Sequence, residues 1–204
     1  IITRTLTTDE FGTWGLIGAL TTYVIIIEPI ISVWAVRETA RGEKSGKTAI
    51  ITTGMFSIVG ILAYIVIAYF VGIQSNANVD VILFSVILIP FLFLSRTLTV
   101  INQGWKPQAA SYGLIGFEIA KIPAGLILVY FLDMGLEGAI IATVISYSIS
   151  IIILFYFSKE KILVPFKKEF VIKWIKLSWF ALYSGKVYSM IQHFDVAVFS
   201  LIVG

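Results

Sequence analysis

Six long, nearly uninterrupted apolar stretches constrain the fold of this sequence more than any other feature. They run over 13–36, 49–73, 79–101, 109–131, 136–158 and 179–203. A bilayer core of about 30 Å is crossed by roughly 20 apolar residues in a helix, so each stretch qualifies or nearly qualifies as a span. With 58% hydrophobic and only 13% charged residues, a water-soluble fold has too little polar surface to cover itself. Lipid offers backbone N–H and C=O groups no partners, so helices are required, and the short alternating strands of a membrane barrel are not seen. The fold class that follows is all-α, a polytopic integral membrane helical bundle.

Lysine and arginine collect on the cytoplasmic side of such proteins, which sorts the connecting segments. Arg37, Arg41, Lys44 and Lys47 follow the first span, and the next connection, 72–80, has no basic residue. Arg96 and Lys106 are assigned to the third connection, and the turn at 133–136 is again without a cation. Lys159, Lys161, Lys167, Lys168, Lys173 and Lys176 fall in the fifth. Against these, Arg4 stands alone on the other side, while Lys121 and Lys186 lie within spans. Residues 1–10 are therefore expected outside and the loop 37–48 in the cytoplasm, in a multi-pass protein of the cell membrane. The chain starts at Ile1 and stops within an apolar run, so it reads as part of a longer protein. Between Phe166 and Trp179, apolar and lysine residues alternate at helical spacing, which predicts a helix lying in the headgroup plane.

Several chemistries are disfavoured. Cysteine is absent and His193 is the sole histidine, so neither a disulfide framework nor a His/Cys metal cluster can be built. No cofactor and no enzymatic activity are expected. The run Gly42-Glu43-Lys44-Ser45-Gly46-Lys47-Thr48 looks like a phosphate-binding loop, but three residues rather than four separate its glycines and no buried strand precedes it. It reads as a solvated hairpin. The basic residues follow membrane topology, which argues against nucleic acid as a partner.

An ionisable residue near the bilayer centre costs about 2.5–3.5 kcal/mol on insertion scales, so each one marks the bundle interior or a wet cavity. Glu28 lies eight residues before the end of its span, about 12 Å deep. It shares a helical face with Trp14, Gly18, Thr21 and Ser32, and Pro29 beside it should bend the helix. Glu118 and Lys121, three apart on the fourth span, can neutralise each other, in a stripe with Ser111 and Gly125. In the last span Ser184, Tyr188, Gln192 and Asp195 fall in one arc that Phe199 closes. Each group suits two readings, a cavity lining or a set satisfied by neighbouring helices. Lys186 can snorkel to the interface, and His193 suits an interhelical donor better than a proton relay. Gly116, Ala120 and Ala124 are explained by close helix packing, and Thr143, Ser146 and Ser150 by interhelical hydrogen bonds.

Three motifs carry a resemblance: Arg4-Thr5-Leu6-Thr7-Thr8-Asp9-Glu10-Phe11-Gly12-Thr13-Trp14-Gly15, Arg37-Glu38-Thr39-Ala40-Arg41-Gly42, and Gly135-Leu136-Glu137-Gly138-Ala139-Ile140-Ile141-Ala142. In these the chain resembles the polysaccharide-type flippases of the multidrug/oligosaccharidyl-lipid/polysaccharide exporter superfamily. The resemblance implies that the spans are family helices two to seven. It divides the chain into an N-terminal transmembrane lobe at 1–158, an amphipathic cytoplasmic linker at 159–178, and the first helix of a second lobe at 179–204. It further implies that the protein flips lipid-linked oligosaccharides by alternating access, driven by H+ or Na+ or by the membrane potential rather than by ATP. Its partners would then be a lipid-linked saccharide and the surrounding lipids. Glu28, Glu118, Lys121, Gln192 and Asp195 become cavity candidates, with Arg4 and Arg37 near its rims. The alternatives are an exporter of cationic drugs from the same superfamily and a membrane-bound glycosyltransferase or a non-transporting scaffold of polysaccharide assembly.

Overall fold

A computed structural model describes residues 6–74 and 78–185, the last seven of these by backbone alone. Its described residues form helices and no strands: α1 (Thr8–Val24), α2 (Pro29–Ala40), α3 (Gly46–Gln74), α4 (Val79–Phe84), α5 (Leu88–Trp105), α6 (Pro107–Gly125), α7 (Gly135–Ile162) and α8 (Lys168–Gly185). Five helical segments are long and apolar enough to cross a membrane: Thr8–Ile27, Gly46–Gln74, Val79–Trp105, Pro107–Phe131 and Gly135–Ile162. The chain is thus an all-α, multi-pass membrane bundle. Of the sixth expected span, residues 186–203 lie outside the described residues.

Prolines shape these segments. Between α1 and α2 the helix tightens into a 3-10 turn at Ile25–Ile27, and Pro29 opens α2, where its missing N–H costs nothing. Pro123 lies inside α6, and the chain continues from there as a π-helix over Leu126–Phe131.

The packing is inverted relative to a water-soluble helix. Along α3 the buried residues include Thr48, Thr52, Thr53, Ser57 and Gly60, while Met55, Ile58, Leu62, Val66 and Phe70 face outward. Small and hydroxylated residues let backbones approach and supply hydrogen bonds, and the large aliphatic side chains meet lipid. The central helix is α5, which touches α2, α3, α6 and α7. Thr97 on α5 donates to Thr53 on α3 at 2.9 Å, and the buried Asn102 amide donates to the Leu154 carbonyl of α7 at 3.0 Å. Gly104 brings α5 so close to α2 that a Cβ there would stand 2.5 Å from the Val36 carbonyl oxygen. Gly113 and Gly116 likewise seat α6 against Leu154 and Ile153 of α7; for Gly116 this is the packing role expected of the stripe it forms with Ala120 and Ala124.

Two of the quoted motifs meet. Glu10 forms a capping box with Thr7, accepting from the Thr7 backbone at 2.8 Å, and its carboxylate lies against the start of α7. Gly135, at φ +51°, leaves the room: a Cβ there would lie 2.5 Å from Glu10 Oε1.

At the basic end three expectations change. Arg96 is not in a connection; it stands nine residues before the end of α5, about 13 Å inside the bundle. The segment 159–178 is shared between two helices rather than forming one. Lys159–Ile162 complete α7, Pro165 enforces the break, and α8 packs on α2 and α3. Trp174 is fully buried against Ile31, Ala35, Ala49 and Ile101 and Phe170 is partly covered with it, whereas Phe166 and Leu177 of the same expected face stay exposed. Lys173 pairs with the buried Glu38 at 2.6 Å, and Lys161 donates to the Gly42 carbonyl at 3.0 Å. The phosphate-loop look-alike is closed by the same contacts. Its Gly46 backs onto the Lys161 carbonyl, Ser45 and Thr48 are buried, and the Thr48 hydroxyl accepts from the Lys167 backbone.

The α2–α5 contact predicts a difference between two glycines. Gly104→Ala should destabilise the detergent-solubilised protein by about 1–3 kcal/mol, because the added methyl meets backbone. Gly54→Ala, whose methyl meets nothing within 4 Å, should be neutral or better. Thermal unfolding of both variants reads the difference, and equal midpoints would refute the close contact.

Candidate functional site

Side chains from α1, α5, α6 and α7 line two open clefts that share Tyr147, near the middle of α7. One, of about 220 Å³, runs from Trp14 through Gly18, Thr21 and Thr22 to Arg96 and Thr143. The other, of about 350 Å³, runs from Tyr147 and Ser150 past Ser95, Thr99 and Phe117 to Gln103 and Ser111 near the basic end. The Phe117 and Tyr147 rings lie 4.7 Å apart, between α6 and α7. Both clefts present more apolar than polar surface, and their linings reach from Trp14, six residues inside α1, to Gln103, two residues short of the end of α5.

Helical periodicity puts these groups there. Trp14, Gly18 and Thr21 follow one another at spacings of four and three, which keeps them on one side of α1. On α5 the same rule aligns Leu88, Leu92, Arg96, Thr99 and Gln103. Arg96 is exposed and makes no ion pair within 4 Å among the described residues. A guanidinium at this depth is the costliest group in the span and the one best suited to a planar oxyanion.

The hydroxyls divide into two kinds. Those of Thr21, Thr22, Thr99, Thr143, Ser146 and Ser148 turn back onto the carbonyl four residues earlier in their own helices. Those of Ser95, Ser111 and Ser150 make no hydrogen bond to a described residue. The interhelical bonds expected of Thr143 and Ser146 are therefore intrahelical, and Thr143 and Ser150 line the clefts.

The expected site residues scatter. Glu28 is buried at the junction of α1 and α2 and lines neither cleft, although its helical neighbours Trp14, Gly18 and Thr21 do. Arg37 is exposed at the end of α2, with its guanidinium over Trp34 at 5.1 Å. Glu118 and Lys121 do not close the expected pair. Glu118 is exposed, and the Lys121 ammonium sits over the Phe117 ring at 5.3 Å. Arg4, Gln192 and Asp195, with Lys186, Tyr188, His193 and Phe199, lie outside the described residues. The group that sequence reasoning missed is Arg96. Its place five residues inside its own apolar stretch was the available signal, since the depth rule applied to Glu28 selects it too.

Gly18 offers a direct check of the first cleft, because a Cβ there meets nothing within 4 Å and points into open space. Gly18→Leu should leave expression and thermal stability near wild type while obstructing the cleft; reduced labelling of Thr143→Cys by a small polar thiol reagent would show it. Unchanged labelling would place Gly18 elsewhere. Compared with protein-family models, curated proteins and solved structures, the chain finds no match.

Proposed function

We propose that this chain belongs to a transporter that flips lipid-linked oligosaccharide or polysaccharide precursors across the cell membrane, akin to the polysaccharide-type flippases its motifs resemble. The observation that carries the reading is Arg96, an arginine without a carboxylate partner among the described residues, lining a largely apolar cleft within a membrane-spanning segment. Such a charge persists where it is used, and its fork of donors matches the phosphate oxygens that join a polyprenyl carrier to its glycan. No bond is made or broken in this activity. The protein would shelter a charged and hydroxylated headgroup from hydrocarbon while the carrier tail stays in lipid, driven by an H+ or Na+ gradient or by the membrane potential. The hairpin 41–47 and the other basic connections would face the cytoplasm.

The rivals fit the cleft less well. An exporter of cationic drugs needs carboxylates as ligands, whereas the charge lining the first cleft is positive and Glu118 lines neither. A scaffold gives no reason to keep an arginine within a membrane-spanning segment, and a glycosyltransferase needs clustered acids or histidines that no loop provides.

Translocation of a fluorescent polyprenyl-linked glycan by the complete protein in vesicles tests the proposal. Arg96→Ala should slow it roughly 10–100-fold, the loss expected when a charge-assisted bond of about 1.5–3 kcal/mol disappears. Arg96→Lys should retain part of the rate, because an ammonium keeps the charge but not the fork. A rate untouched by Arg96→Ala would reject the role given to the cleft.

A further inference from the structure

The two clefts differ in charge, and the difference sorts what each can hold. No ionisable group other than the Tyr147 phenol lines the larger cleft between α5, α6 and α7. Ser95 and Ser150 there are only 7% and 4% exposed, and neither hydroxyl finds a partner among the described residues. Ser111 and the Gln103 amide, both more exposed, are equally unpartnered. The contrast lies within the same helices: Thr99 on α5 and Ser146 and Ser148 on α7 satisfy themselves on their own backbones. The Ser95 and Ser150 hydroxyls therefore open onto the cleft rather than onto their own backbones, which leaves their donor and acceptor sites available to a group that enters it.

We infer that this groove is a subsite for a neutral polyhydroxyl group, a sugar ring, distinct from the anion subsite at Arg96. A hydroxyl donates one bond and accepts two, and an amide does both, so Ser95, Gln103, Ser111 and Ser150 match ring hydroxyls without needing charge on either side. The Phe117 and Tyr147 rings supply an apolar face for the C–H side of a pyranose. At about 350 Å³ the groove falls within the roughly 300–1,000 Å³ range of small-molecule sites. The inference rests on the flippase reading and adds a division of labour. Phosphate oxygens go to Arg96, sugar hydroxyls go to the groove, and Tyr147, common to both clefts, stands where the two parts of one headgroup join.

The sequence contains no cysteine, so single cysteines report cleanly. Ser111→Cys and Ser150→Cys probe the groove, and Gly18→Cys probes the Arg96 cleft. Each is placed in the complete protein in vesicles and exposed to a small methanethiosulfonate. The rates are compared with no addition, with polyprenyl pyrophosphate, and with a panel of polyprenyl pyrophosphates bearing a hexose, an N-acetylhexosamine or a deoxyhexose. At least one sugar-bearing carrier should slow reaction at Ser111→Cys and Ser150→Cys roughly tenfold, as near-complete occupancy requires, whereas the bare carrier should not. Both kinds of carrier should slow Gly18→Cys. Groove cysteines slowed equally by both carriers, or by neither while Gly18→Cys is slowed, would overturn the sugar subsite and leave the transport reading standing. Gly18→Cys indifferent to every carrier would instead remove the anion subsite, and with it the reading on which the groove depends.

Discussion

Hydrocarbon cannot accept or donate a hydrogen bond, and the rest of this structure is arranged around that fact. Backbone groups are paired within helices, and many hydroxyls in the spans fold back onto their own carbonyls. Amide and hydroxyl bonds join α5 to α3 and α7. Apolar bulk faces outward because lipid accepts it at no cost, which leaves small residues to set the distances between helices. Gly104 and Gly113 are instances of that rule, each standing where a methyl would collide with the neighbouring helix.

Against this background the polar groups that do not satisfy themselves stand out. Arg96 lines one of two clefts between α1, α5, α6 and α7 and the unpartnered serines line the other, with Tyr147 common to both. The basic end is organised differently. Glu38, Glu43, Gly42 and Thr48 are held by Lys173, Lys167 and Lys161, so the hairpin between α2 and α3 is fastened to the α7–α8 junction. None of those residues lines either cleft.

Much of the frame was legible in the sequence because it rests on one-dimensional signals. Apolar length placed the helices, Pro29 marked the break after Glu28, and the face shared by Trp14, Gly18 and Thr21 followed from helical periodicity alone. What failed was inference about partners. Glu118 and Lys121 are neighbours by spacing, yet Lys121 turns to Phe117, since a ring one turn away competes for the same ammonium. Arg96 was assigned to a connection by counting cations, although α5 runs on for nine residues beyond it. Tyr147 carries no sequence signal at all. Its place between two clefts is set by how α6 and α7 pack against α5, a tertiary property. Trp174 shows the same limit, because amphipathicity shows that a face must be covered but not whether lipid or protein covers it.

The claim beneath all of this is that the five long helices cross a bilayer, with basic and nonbasic ends on opposite sides. Single cysteines at Lys44 in the α2–α3 hairpin and at Asp80 at the start of α4, both exposed, test it in sealed vesicles with a membrane-impermeant thiol reagent. The account predicts that Lys44→Cys and Asp80→Cys are modified from opposite faces of the membrane. Labelling of both from the same face would mean that α3 does not span, and Arg96 and the clefts would lose the hydrocarbon setting on which their reading depends.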